Sequence, residues 1–208
     1  MEVTTRHTPT CGVARISLAS GEAVQAASDA MVASSYGVTE TRPVRGGSRA
    51  QARTGPSIFT APAEGGWIDL APRRIGDVYP LEFDGHTGWC VAKDAILARP
   101  STVRVDREWP ALHALFGGDA GFLDHHGGVG PLVLACAGPV DAFTLSRGEV
   151  ITVSPGFLLA YPDTVQCRLR AMDPSGPQSV RTGEGLALDF AGPGTVLVQA
   201  RNPRLPVG

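Results

Sequence analysis

With 20 acidic against 18 basic side chains, this 208-residue chain has a formal net charge of -2, so no strong field of either sign draws it to nucleic acid or an anionic lipid surface. Hydrophobic residues make up 43% of the chain, and 26 glycines and 17 prolines are spread along it, which excludes a disordered polymer and predicts short apolar elements broken by many turns. The N-terminal MEVTTRHTPTCGVARISLASG has no basic stretch leading into an apolar run, and no later stretch is long enough to cross a bilayer, so a cytoplasmic location is expected.

The first predicted strand is Ile16-Ser17-Leu18. It leads into SGEAVQAASDAMVASSYGVT at residues 20–39, a polar connection at 43–54, and SIFTAPAEGGWIDL from Ser57. The same order then returns. Leu81-Glu82-Phe83 precedes GHTGWCVAKDAILARPSTVR at 85–104, and PLVLACAGPVDAFTL from Pro131 follows after a longer connection. That connection holds the one helical candidate, at 109–116, where Pro110 suits a first turn and Gly117 an end. Its remainder, in which Asp124-His125-His126 stands among glycines, reads as a loop. On the third pass Phe143-Thr144-Leu145 leads into RGEVITVSPGFLLAYPDTVQ at 147–166, a polar loop at 173–182, and GLALDFAGPGTVLVQ from Gly185.

Laid on one another without gaps, the three blocks place Ala33, Ala98 and Ala160 in one column and Val38, Val103 and Val165 in another. Recurrence of this kind predicts an all-β single domain with three internal repeats, at about residues 16–75, 76–140 and 141–202, and a C-terminal tail at 203–208. Within the repeats, Val165-Gln166-Cys167-Arg168-Leu169-Arg170-Ala171 alternates apolar and polar side chains, the signature of a strand with one face on a core. Glycine and proline mark the reversals, as in Ala137-Gly138-Pro139 and Ala191-Gly192-Pro193-Gly194, and short strands at even spacing predict a sandwich or barrel.

SGEAVQAASDAMVASSYGV, SIFTAPAEGG, GDVYPLEFDG, WCVAKDAILA, RGEVITVSPGFLLAY and TGEGLALDFAGPGTVLVQARN together resemble the family named after the yeast altered inheritance of mitochondria protein 24, over residues 16–202. The resemblance implies a fold similar to that of the trp RNA-binding attenuation protein superfamily, a short double-stranded β-helix with three copies around a pseudo-threefold axis. It implies no catalytic residues, since the family has no established enzymatic activity; its fungal member is associated with mitochondrial inner-membrane organisation. The connections depart from the family's glycine-, leucine- and lysine-rich pattern. Here they read RPVRGGSRAQARTG, EWPALHALFGGDAGFLDHHGGVG and MDPSGPQSVRTG.

Several constellations bear on chemistry. Asp124, His125 and His126, with His113 upstream and His86 elsewhere, offer metal-ligand chemistry only if the two adjacent histidines lie in a loop, because on a strand they point to opposite faces. The His-x-His with a downstream Glu found in metal-binding cupins is missing, which favours a solvated pair. Cys11, Cys90, Cys136 and Cys167 form no CxxC and have no histidine nearby in sequence, so they read as small apolar groups or incidental thiols. Arg42, Arg45, Arg49 and Arg53 can touch phosphates but lack interleaved aromatics for stacking bases, and a solvated arginine loop is favoured. Trp67, Trp89 and Trp109 read as core or interface anchors; Trp89 aligns with Val24 and Ile151, which marks it as core.

These readings assign no catalytic, cofactor or metal residue. They lead to a non-enzymatic scaffold or interaction protein that self-associates or meets a protein partner. The alternatives are a small-molecule or metal-binding barrel using the 124–126 loop, and a peripheral membrane or RNA contact through residues 42–53.

Overall fold

A computed structural model describes residues 1–42, 55–119 and 121–203. In chain order the elements are β1 (Glu2–Arg6), β2 (Val13–Leu18), β3 (Ala23–Ala26), β4 (Met31–Ser34), β5 (Thr39–Thr41), β6 (Ser57–Thr60), β7 (Gly66–Leu70), β8 (Asp77–Asp84), β9 (Trp89–Ala92), β10 (Ile96–Pro100) and β11 (Val103–Asp106). After the helix α1 (Pro110–Leu115) come β12 (Leu123–Cys136), β13 (Val140–Leu145), β14 (Val150–Val153), β15 (Leu158–Pro162), β16 (Gln166–Ala171), β17 (Leu186–Ala191) and β18 (Gly194–Gln199). The fold is all-β as expected, and the expected helix forms where Pro110 presets the first turn and Gly117, at φ 65°, ends it.

Two compact units share the chain in alternation. The first takes residues 1–84, 96–103 and 129–139, and the second takes 85–95, 104–128 and 140–208.

In the first unit β2 lies between β1 and β7, β4 flanks β7, and β3 lies between β6 and β10. The alternation of β2 explains its place: Ala14, Ile16 and Leu18 turn inward and are buried, while Arg15 and Ser17 turn out. Ile16 meets Val24, Phe59, Ile68, Leu70, Val78, Leu97 and Val133 in one apolar cluster. Complete burial of such a side chain stabilises the fold by about 2 kcal/mol. In the second unit β18 lies between β13 and β15, β9 between β15 and the start of β12, and β17 between β14 and β16. Leu158, Leu159, Leu188, Phe190, Val196 and Leu197 are fully or almost fully buried there.

The pairing registers recur along the chain. Ala14 pairs with Leu70, Tyr79 with Leu134 and Asp141 with Val198. Beside them, β4 shifts register against β7 between Met31 and Ala33, β10 against β12 between Ile96 and Ala98, and β15 against β18 between Leu158 and Ala160. Each shift sets two residues of one strand against one of its partner, the geometry of a β-bulge, and the extra residues are Val32, Leu97 and Leu159. β10 pairs with β3 through Ala98 and Ala26, and β15 pairs with β9 through Ala160 and Val91.

The 124–126 segment is not a loop. It lies in β12, a strand that starts at Leu123, well before Pro131 where the hydrophobic run begins. The glycines that suggested a loop are strand glycines: Gly128 and Gly130 hold φ of 137° and 108°, values open to a residue without Cβ, so the strand continues through them. The other two connections differ. Residues 173–182 form no strand or helix and are held by Asp173, which accepts from the Ser175 N–H and hydroxyl at 2.9 and 2.6 Å. Residues 43–54 lie outside the described residues, as do 204–208 of the tail.

Candidate functional site

β12 carries His125 and His126 on opposite faces of a sheet, and both are buried, so the expected solvated pair is replaced by two core histidines. The reason is pairing. Leu123, Asp124, His125 and His126 face Ala92, Val91, Cys90 and Trp89 of β9, and β11 pairs with β12 as well. This geometry denies the two rings a common ligand. Among the described residues there is no group of three or more His, Cys, Asp or Glu side chains placed to hold a metal ion.

His125 is instead part of a clamp. Its Nε2 shares a hydrogen bond of 3.0 Å with Asp163 Oδ2, just beyond β15, and the Trp109 indole ahead of α1 stacks on its ring at 3.8 Å with planes 4° apart. Asp163 is fixed in turn. The Gly88 N–H donates to Asp163 Oδ2 at 3.2 Å, and the Asp163 N–H donates to the Gly88 carbonyl at 2.9 Å. Gly88 must lack a side chain, because a Cβ there would run into both His125 and the Asp163 carboxylate. On the other face, Asp124 stands 3.6 Å from Lys93 Nζ and 3.9 Å from Arg107 Nε. His113 on α1 lies 3.2 Å from Glu108, and His86 is exposed.

An Asp-His pair orients an imidazole for acid-base work, so the question is whether a nucleophile adjoins it. Across the sheet, Tyr161, Cys90 and His125 occupy one row of directly paired positions, which turns their side chains to the same face. The thiol in that row is the wrong kind. Burial pushes Cys90 up to about 12, and Tyr161 hydrogen-bonds it. Tyr161 also bonds Cys167, which burial likewise raises to about 12, and burial raises the phenol itself. A reactive cysteine needs a depressed pKa in an accessible, electropositive setting. The arrangement therefore clamps β9, β12 and the end of β15 together, and the thiols serve as core groups.

A second polar cluster sits on the outer face of β2 and β7. Asp69 is buried and accepts from Arg15 at 2.8 and 2.9 Å and from Arg6 at 2.6 Å, while the Arg15 guanidinium lies 3.9 Å from the centre of a Trp67 ring. Arg15 and Arg6 hold the Asp69 carboxyl below the usual carboxylate range. Of the arginine run, Arg42 is engaged by Glu40 at 2.9 Å and Asp29 at 3.5 Å; Arg45, Arg49 and Arg53 lie outside the described residues. All three tryptophans are half-buried. Trp67 and Trp109 cover polar groups, and Trp89 is less enclosed than its alignment with Val24 implies.

Asp163 and Gly88 escaped the sequence reading because no local pattern links Asp163 to His125, 38 residues away, or to Gly88, 75 residues away. Arg15 and Asp69 did leave a trace. Each is a charge between two apolar neighbours in sequence, as Ala14-Arg15-Ile16 and Ile68-Asp69-Leu70, but their pairing needs the register of two strands 54 residues apart.

Among the described residues no helix is long and apolar enough to cross a membrane. The chain is 28% identical over 154 residues to an uncharacterized protein of Streptococcus pyogenes serotype M6, a match covering 72% of this chain and 61% of that relative's length. Its fold is similar to an X-ray crystal structure of a Streptococcus pyogenes protein, with a TM-score of 0.74 at 21% identity over 97% of this chain and 94% of the other. The family model described as "Mitochondrial biogenesis AIM24" matches residues 3–201, so the chain belongs to the AIM24 family.

Proposed function

We propose that this protein is a non-enzymatic cytoplasmic scaffold, built from three copies of one β-unit at residues 16–75, 76–140 and 141–202, that works by self-association. The equivalent register pairs and the three bulges, set at the same place in each stretch, support the three-copy reading. Under it, the copies form a double-stranded β-helix with a pseudo-threefold arrangement. The Cys90 and Cys167 thiols, raised to about 12, and a histidine closed in by Trp109 and Asp163 support a role without catalysis. Four free cysteines suit a reducing compartment.

The observation that carries self-association is apolar side chains left in water on sheet-edge strands. Met31 and Val32 on β4, Phe143 on β13 and Val150 on β14 are all exposed, and each of these strands pairs on one side only among the described residues. Edges of this kind accept another strand. Sedimentation velocity across the micromolar range is expected to show species heavier than the 21.7 kDa chain, growing with concentration. A single 21.7 kDa species at every concentration refutes the reading.

A further inference from the structure

Three equivalent inward-facing positions have different fates. Ile16 on β2 is 0% exposed, Leu81 on β8 is 6% exposed, and Phe143 on β13 is 44% exposed. Phe143 is not turned outward by its strand. It pairs with the fully buried Val196 and shares a face with Leu145, itself buried, so its ring points the way its counterparts do. What differs is the strand's other side.

Beside β2 lies β1, antiparallel, with Val3 opposite Ile16, and Val3 and Met1 pack against the core. β8 contains Pro80, which has no N–H to offer an added strand and suits an edge that stays unpaired. β13 has neither device. Val140-Asp141-Ala142-Phe143-Thr144-Leu145 holds no proline and no lysine, its middle four residues are exposed, and among the described residues it pairs with β18 alone.

We propose that β13 is the seam at which two copies of this chain join, antiparallel, about a twofold axis at Phe143. This rests on the self-association proposed above and names its contact. The first support for a second copy is that the chain already accepts an antiparallel strand with an apolar residue in register at the equivalent edge, where Val3 covers Ile16. The second is that the β13 sequence suits itself. Paired residues in an antiparallel ladder must share orientation, so in a twofold pair one residue faces its own copy. A centre at Asp141 would oppose two carboxylates, and one at Ala142 would leave the exposed Phe143 ring without an aromatic partner. With Phe143 at the centre, phenylalanine meets phenylalanine, Ala142 meets Thr144 and Asp141 meets Leu145, with no like charges opposed.

The test compares wild type, Phe143→Asp, and Cys11→Ser chains carrying Phe143→Cys or Val150→Cys. Removing Cys11 takes away the one fully exposed cysteine, and half-buried Cys167, raised to about 12, is common to both cysteine variants and so cancels in their comparison. Wild type is expected to dimerise, Phe143→Asp to raise the dimer Kd on the order of 30-fold with an unchanged circular dichroism spectrum, as loss of a central aromatic contact implies. Phe143→Cys is expected to form a disulfide dimer on mild oxidation, and Val150→Cys is not, because only facing positions bring Cβ atoms close enough. If Phe143→Asp fails to fold, the cross-linking pair decides. A wild type that assembles, with Phe143→Asp assembling equally or Phe143→Cys failing to cross-link, overturns the seam and leaves self-association standing. A wild type that stays monomeric overturns both, and points to a foreign strand as the occupant of β13.

Discussion

Gly88→Ala is the sharpest probe of the His125 clamp. The added methyl would occupy the space between the His125 ring and the Asp163 carboxylate, both of which lie in its path. Neither can retreat freely, because Trp109 stacks on the ring and the Gly88 backbone holds Asp163 from two sides. Loss of the charge-assisted His125 to Asp163 bond costs about 2 kcal/mol, and overpacking adds about 1 kcal/mol. A total of about 3 kcal/mol lowers the melting temperature of a chain this size by roughly 6 to 12 °C. Thermal unfolding followed by circular dichroism at neutral pH reads this directly, and the His125→Ala background tests its origin. There the ring is gone, so Gly88→Ala should cost clearly less than in wild type, a sub-additive result expected of residues in contact. A Gly88→Ala protein within about 0.5 kcal/mol of wild type, the ordinary range for a neutral surface change, or full additivity with His125→Ala, refutes the clamp.

Two further expectations concern titrating groups. In the native protein a thiol reagent at mildly alkaline pH should modify exposed Cys11 quickly, half-buried Cys167 slowly, and buried Cys90 and Cys136 only after unfolding, because burial raises those three to about 12. Since those thiols keep their protons when the unfolded chain loses them near 9.0, stability should fall as pH rises from 9.0 towards 12, measurable as a falling urea midpoint. Asp69 works in the opposite direction. Its carboxyl is depressed below 3.8 by Arg15 and Arg6, so its contribution is present above 3.8 and lost as pH falls through the lower native value. Asp69→Asn should therefore lower the urea midpoint at pH 7 and flatten its decline in acid; an unchanged acid limb counts against the ion pair.

Strand character was legible wherever one face is buried, as in β2, where Ala14, Ile16 and Leu18 alternate with polar residues. The helix was legible too, because Pro110 and Gly117 punctuate it locally. The start of β12 was not. There the buried positions on both faces are filled by His125 and His126 rather than aliphatic residues, and glycines that read as loop signals lie within the strand at positive φ. Nor was the clamp legible, since Gly88, Trp109, His125 and Asp163 belong to separate segments that meet only once three strands are in register. Periodicity reports which face a residue occupies; it carries no information on which strand lies opposite.

The alternating division of the chain has a consequence for how the protein emerges from the ribosome. The first compact unit needs residues up to 139, and the second draws on 85–95 and 104–128 before its main body at 140–208 is made. Neither is one uninterrupted stretch, so a chain that stops near Pro139 holds all of the first unit but only residues 85–95 and 104–128 of the second, stranded as unsupported segments on the nascent polypeptide. Chaperone demand should accordingly peak late in translation, after Pro139 has left the exit tunnel and before the closing strand has been delivered.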